Sequence, residues 1–197
     1  MRGIVIAAGL LLSGLQMVAA EVPRQSPEFA FNLPGGGQDL LSKYKGKIVV
    51  LEFLFTTCPH CQQSATTLSK LQNEYGPKGL QVLGVAINPD PDIQSFKRMY
   101  ATAFPVGSAT RDQAFSYLQQ SIMSANFYVP QVVFIDRKGV IRAQHGGTDP
   151  FLGAQQEANM RKMIEQLLGE PTAGAPSIKP TGKKPAPAKS TATKKVS

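Results

Sequence analysis

Apolar residues within positions 27–168 recur in patterns that predict alternating strands and helices. Two nearly continuous apolar runs, Ile48 to Phe55 and Leu80 to Ile87, have the length and the β-branched and aromatic composition of strands buried on both faces. A helix is predicted between them, because apolar residues recur there at spacings of three and four: Ala65, Leu68, Leu71 and Tyr75. Gly76 and Pro77 end this helical pattern.

Further elements are predicted after the second buried strand. Asp92 and Asp112 are each placed to begin a helix, and Phe104 to Val106 forms a short extended segment between the two. Two later apolar runs are joined by Arg137-Lys138-Gly139, which is typical of a β-hairpin turn.

The last predicted helix begins after Asp149, which can cap it, with Pro150 at its first position. A short strand over residues 29–33 precedes the two buried strands. The element order is then β-β-α-β-α-α-β-β-α, which predicts an α/β fold, a three-layer α/β/α sandwich with a mixed central sheet. We expect one such domain at residues 27–168, with residues 21–26 as a linker.

Residues 1–20 have the pattern of a signal peptide. Arg2 precedes an apolar run from Ile4 to Leu15, and Val18-Ala19-Ala20 offers small residues where a signal peptidase cleaves. This pattern predicts cleavage after Ala20 and an exported protein of the periplasm or cell envelope. The alternative is an uncleaved amino-terminal anchor, because the apolar run is only slightly shorter than a membrane span.

Positive charge is concentrated in the carboxyl-terminal tail. The formal net charge is +8, but residues 21–168 contain 14 basic and 12 acidic residues, so most of the excess comes from lysines beyond the domain. Residues 169–197 are rich in Pro, Ala, Thr and Lys, which predicts disorder. The high isoelectric point is therefore no indication of nucleic-acid binding. We expect a solvated tail, with weak contact to a membrane or an anionic envelope polymer as the alternative.

The motif Cys58-Pro59-His60-Cys61 carries the candidate chemistry. The chain has two cysteines, too few for a disulfide framework, and in an exported protein their C-x-x-C spacing suggests a working redox pair. The motif joins the end of a strand to the start of a helix, where free backbone N–H groups and the helix dipole favour a thiolate at Cys58. Cys61 lies about one turn further along. Pro59 fits the first turn without losing a hydrogen bond, and His60 adds a donor or a positive charge nearby.

A zinc site and a structural disulfide are the competing interpretations of the two cysteines. Structural zinc takes four ligands, and the chain offers only these: Cys58, Cys61, His60 and His145. A disulfide that closes so short a loop would stabilise the fold little. We therefore expect no metal, and no cofactor beyond the redox-active disulfide itself. His145 is expected to be an ordinary residue at a strand end.

The segment Val49 to Cys61 resembles the active-site strand and helix of the thioredoxin superfamily. Other segments resemble its exported TlpA/ResA-like, AhpC/TSA-related branch: Tyr44-Lys45-Gly46-Lys47, Phe104-Pro105-Val106, Val129-Pro130, Asp136-Arg137-Lys138-Gly139 and Gly146-Gly147. The resemblance covers residues 27–168 and implies a thioredoxin-like sandwich.

The resemblance also implies roles for the matching residues. Cys58 would be the attacking cysteine and Cys61 the resolving one. Pro130 would be a cis-proline packed against this pair, which leaves the backbone of Val129 free to hold a substrate strand.

Glu52, six residues before the first cysteine, matches the buried acid of thioredoxin. A carboxyl group inside an apolar strand should have a raised pKa, and it could relay the proton of Cys61. The alternative is a glutamate that points to an edge or to a lysine such as Lys47.

Two departures from the family pattern affect the functional prediction. Thr57 stands where the family usually has Trp. The dipeptide Pro59-His60, together with Val129 before Pro130, resembles the oxidase DsbA, but this chain lacks the long helical insertion of DsbA. We predict an envelope thiol–disulfide oxidoreductase acting on protein substrates, with an oxidising or isomerising poise and an unidentified redox partner. The alternatives are a reductant of apocytochrome c or metallochaperone cysteines and a non-enzymatic thiol-based metal-binding module.

Overall fold

A computed structural model describes residues 21–121 and 127–170, and in this part of the chain eight strands form one sheet. The strands are β1 (Arg24–Gln25), β2 (Ala30–Asn32), β3 (Gln38–Leu40), β4 (Ile48–Leu54), β5 (Leu80–Ala86), β6 (Val106–Ser108), β7 (Gln131–Ile135) and β8 (Val140–His145). The α-helices are α1 (Pro59–Tyr75), α2 (Ile93–Met99), α3 (Arg111–Leu118) and α4 (Gln156–Gly169). Short 3-10 turns occur at Leu41–Tyr44, Gly76–Lys78 and Pro150–Leu152.

Strand β4 lies in the interior of the sheet, whose strand order is β1-β8-β7-β4-β5-β6-β2-β3. It pairs in parallel with β5 and antiparallel with β7, so the sheet is mixed. All seven residues of β4 are buried, as its nearly continuous apolar sequence predicts for a strand covered on both faces. The site is built at the carboxyl end of this strand.

Helices cover both faces of the sheet. One face packs against α1, α2 and α4 and forms a core that includes Cys61, Leu68, Phe96 and Ile164. The other face packs against α3, which contributes Ala114, Tyr117 and Leu118. We call these the α1 face and the α3 face. The predicted three-layer sandwich with a mixed central sheet is confirmed.

The last helix begins later than its sequence predicts. Asp149 caps as expected, accepting a hydrogen bond from the Phe151 N–H, but Pro150 begins only a 3-10 turn. Gly153 leaves the helical conformation with φ −81° and ψ −148°, so the chain is interrupted and α4 begins at Gln156. The prediction of a continuous helix from Pro150 is wrong for this reason.

Smaller differences concern α3 and the sheet edges. The cap of α3 is Thr110, which places the helix start at Arg111, one residue before Asp112. Within the segment predicted over 104–106, only Val106 enters the sheet, as the first residue of β6. The short strands β1 and β3 are not predicted from the sequence, because neither contains an apolar run.

The predicted signal peptide at residues 1–20 and nearly all of the tail at residues 169–197 lie outside the described residues, so both stay predictions. No α-helix in the described ranges is long and apolar enough to span a bilayer.

Candidate active site

Cys58 occupies the amino-terminal cap of α1, as its sequence predicts. Its N–H donates to the Phe55 carbonyl at 3.1 Å, which closes the turn after β4, and its own carbonyl accepts from the Gln62 N–H at 3.0 Å. Pro59 is the first helical residue. The Cys58 thiol therefore lies at the positive end of a 17-residue helix and is partly accessible to solvent.

Cys61 lies one turn into α1 and is fully buried. Both thiols are free, and the Cys58 side chain is close enough to the Cys61 thiol to contribute to its pKa. Burial raises the pKa of Cys61, and the nearby Glu52 carboxyl group raises it further. The pair is therefore asymmetric, with one thiol reachable from outside and the other enclosed.

Glu52 lies in the middle of β4 on the α1 face and is fully buried. Burial raises the pKa of Glu52 to about 8. Ser64, one turn beyond Cys61, offsets a small part of this rise, although no hydrogen bond of good geometry joins the two side chains. No basic side chain of the described residues forms an ion pair with Glu52. The alternative of an edge position or a Lys47 partner is therefore wrong.

The Val129–Pro130 peptide bond is cis, as the family resemblance implies. The Val129 carbonyl oxygen lies 3.9 Å from Cys58 Sγ, so this loop contacts the exposed thiol. Gly147 packs against the same loop. A Cβ at position 147 would lie 2.6 Å from the Val129 oxygen, so only glycine allows this approach.

Two partly buried amide contacts that sequence reasoning missed hold the loops of the site. Gln131 donates to the Tyr128 carbonyl at 2.7 Å and fixes the turn before the cis-proline. Asn88, just after β5, accepts from the Thr56 N–H at 3.0 Å, two residues before the first cysteine. The sequence signals that could have indicated these contacts were a glutamine directly after the predicted cis-proline and an asparagine at a strand end.

The rim around the exposed thiol is polar and aromatic. Thr57, Pro59 and His60 are all exposed, and Tyr128 keeps 50% of its surface accessible. His145 ends β8, as predicted, and lies on the α1 face. Within residues 21–121 and 127–170, no three His, Cys, Asp or Glu side chains converge as a metal site would require.

Comparison with known proteins agrees with this geometry. Residues 22–144 match the AhpC/TSA family. The chain is 31% identical over 138 residues to thioredoxin-like protein YneN of Bacillus subtilis, covering 66% of this chain and 75% of that protein. It is 25% identical over 134 residues to thiol-disulfide oxidoreductase ResA of Geobacillus kaustophilus, covering 68% of this chain and 74% of that protein.

A solved structure gives the same result for the fold. The crystal structure described as a putative thiol:disulfide interchange protein DsbE from Chlorobium tepidum superposes with a TM-score of 0.63 at 26% identity, covering 75% of this chain and 97% of that one. The predicted class, a thioredoxin-like thiol–disulfide oxidoreductase, is thus confirmed, while the roles of the single residues stay predictions. The chain has a thioredoxin-like fold and belongs to the AhpC/TSA family.

Proposed function

We propose that this protein exchanges disulfides with protein substrates in the cell envelope, using Cys58 as the attacking cysteine and Cys61 as the resolving one. The observation that carries the proposal is the asymmetry of the pair: an accessible thiol lies at the amino-terminal cap position of a helix, and an enclosed thiol lies beside a buried carboxyl group. Relatives named thiol-disulfide oxidoreductases support the same reaction class.

The exchange runs through a mixed disulfide. In the oxidising direction a substrate thiolate attacks the Cys58 sulfur, a substrate–Cys58 bond forms, and Cys61 leaves as a thiolate. A second substrate thiolate then attacks the substrate sulfur of the mixed disulfide and releases Cys58. The substrate loses two electrons and the cysteine pair gains them.

Glu52 donates and accepts the proton of the enclosed thiol. When Cys61 leaves, Glu52 donates a proton to it, and in the reductive direction the Glu52 carboxylate accepts that proton before Cys61 attacks Cys58. A carboxyl group with a pKa of about 8 suits this task, because both of its protonation states are populated near neutral pH.

The cis-proline loop holds the substrate chain. The Val129 backbone lies at the exposed thiol, so an extended substrate segment can align there with its cysteine next to Cys58. His60 and Pro59 border the same opening and face an incoming partner. Thr57 in place of the usual Trp gives this rim a smaller contact surface.

Cysteine variants test the reaction. Cys58→Ser should abolish insulin reduction, whereas Cys61→Ser should still attack substrates and accumulate them as mixed disulfides that reducing agent releases. If Cys61→Ser traps nothing and the wild-type protein shows no turnover, the proposal fails. Metal that co-purifies stoichiometrically and is lost in Cys58→Ser would favour the metal-binding alternative.

We propose an oxidising or isomerising poise, supported by the Pro59-His60 dipeptide. Titration of the pair against glutathione tests this. A potential toward about −120 mV supports the oxidising poise, whereas one near about −270 mV favours the reductive alternative, action on apocytochrome c or metallochaperone cysteines.

We also propose export, on the strength of the pattern at residues 1–20. Cell fractionation tests it, and amino-terminal sequencing of the mature protein distinguishes cleavage after Ala20 from anchoring. Retention of the full-length protein in the cytoplasm would contradict export.

A further inference from the structure

Buried polar atoms without a hydrogen-bond partner cluster on the α1 face. Among the described residues such side-chain atoms are few, and most belong to one region: both carboxyl oxygens of Glu52, Ser64 Oγ and His145 Nε2. Burying such groups unpaired costs free energy, so their concentration in one place calls for a functional explanation. Cys61 faces the same side of the sheet.

The sheet register places Glu52 and His145 in one row. Glu52 is paired with Val132 across β4 and β7, and Val132 is paired with His145 across β7 and β8. Directly paired residues point to the same face of a sheet. Two strand spacings separate the Cα atoms of Glu52 and His145, about 10 Å. Two long polar side chains and a bridging water can span that distance over the short side chain of Val132.

The other nitrogen of His145 is anchored at the surface. Nδ1 lies 2.7 Å from Asp149 Oδ2, and the ring is stacked on Phe151 with centroids 3.7 Å apart and an interplanar angle of 3°. If Nδ1 carries the hydrogen toward Asp149, the buried Nε2 is left as a proton acceptor. Of the described side chains, Asp149 is the charged one that contacts this ring, and Phe134 packs against its edge.

We propose that His145 and Asp149 form the route by which Glu52 releases its proton to solvent, an inference that rests on the proposed function. Before Glu52 can accept the Cys61 proton, its own carboxylic acid proton passes through a bridging water to His145 Nε2, so this exit precedes each resolution step. Asp149 stabilises the resulting imidazolium, which then loses a proton to solvent. The Glu52 carboxylate is regenerated, and no electrons move in this step. Both residues act through Glu52 and are positioning residues.

Chemical rescue tests the route. The chain has no tryptophan, so resolution of a mixed disulfide between Cys58 and a fluorophore-labelled peptide is followed through the released peptide. In dilute buffer His145→Ala should slow resolution about tenfold, and added imidazole should restore most of the rate. His145→Gln fills the site but cannot take up a proton near neutral pH, so resolution should be equally slow and imidazole should not rescue it. This variant keeps the test decisive if the alanine variant folds poorly.

Two further variants separate charge from structure. Asp149→Asn keeps a good capping side chain for the Phe151 N–H but removes the negative charge, so resolution should slow while the fold is retained. Gln144→Ala perturbs the same strand, but its side chain contacts Leu118 on the α3 face, so its rate should match the wild type.

The outcomes distinguish this inference from the proposed function. If Glu52→Gln slows resolution and both His145 variants match the wild type, the exit route is refuted and the exchange reaction stands. Slow His145→Ala without imidazole rescue also refutes the route, because the loss is then structural. If the wild-type protein forms no mixed disulfide at Cys58, the proposed function itself fails.

Discussion

Replacing Glu52 with glutamine should remove a pH dependence of stability that the buried carboxyl group imposes. In the folded protein Glu52 holds its proton up to a pKa of about 8, because ionising it in the core is unfavourable. In the unfolded chain the same group ionises near 4.5. Glutamine has nearly the same shape and does not titrate, so the difference between the two proteins isolates Glu52.

The magnitude follows from proton linkage. Between about pH 4.5 and about pH 8 the folded state binds one more proton at Glu52 than the unfolded state, so the free energy of unfolding falls as pH rises. The slope is at most about 1.4 kcal/mol per pH unit. The loss reaches about 3 kcal/mol at pH 7 and about 5 kcal/mol above pH 8, relative to acid.

Urea unfolding of both proteins across this pH range, with the cysteines kept reduced, provides the measurement. The free energy of unfolding of the wild type minus that of Glu52→Gln should fall steadily with pH and level off above about pH 8. Other titrating groups, including both histidines, are common to the two proteins and cancel. A difference that stays flat across the range would refute the raised pKa and with it the proton-relay argument.

Three other substitutions test the surrounding structure. Gly147→Ala should slow disulfide exchange about tenfold or more by pushing the Val129 carbonyl away from the reactive thiol, whereas Gly169→Ala, whose Cβ meets nothing within 4 Å, should match the wild type. Gln131→Ala should lower the free energy of unfolding by about 1–3 kcal/mol, and an unchanged urea midpoint would contradict its role in holding the loop. Thr110→Ala should cost about 1 kcal/mol through loss of the α3 cap, with an unchanged reduction potential.

The elements that could be predicted from sequence are those with strong local signals. The apolar runs of β4 and β5 and the helical spacing of α1 identified the centre of the fold, and the Cys-x-x-Cys motif at the junction of β4 and α1 identified the reactive pair. Each of these features depends on residues close together in the chain, so periodicity and capping rules apply to them directly.

The missed features depend on contacts between distant segments. Gln131 and Asn88 hold loops through side-chain amide contacts that no local sequence pattern predicts. His145 was predicted to be an ordinary strand-end residue, and its position in one row with Glu52 follows only from the register of three strands. A sequence shows which residues can carry a proton, but the pairing of strands decides which of them share a face.

Glu52 is also the place where the needs of the fold and of the proposed chemistry conflict. An apolar or amide side chain at the centre of β4 would satisfy the core better than a carboxyl group without a hydrogen-bond partner. A residue kept for proton transfer should therefore give opposite effects on substitution. Glu52→Gln should raise the free energy of unfolding at pH 7 and slow mixed-disulfide resolution about tenfold. If stability and resolution instead fall together in this variant, Glu52 serves the structure, and the proton of Cys61 must leave by another group.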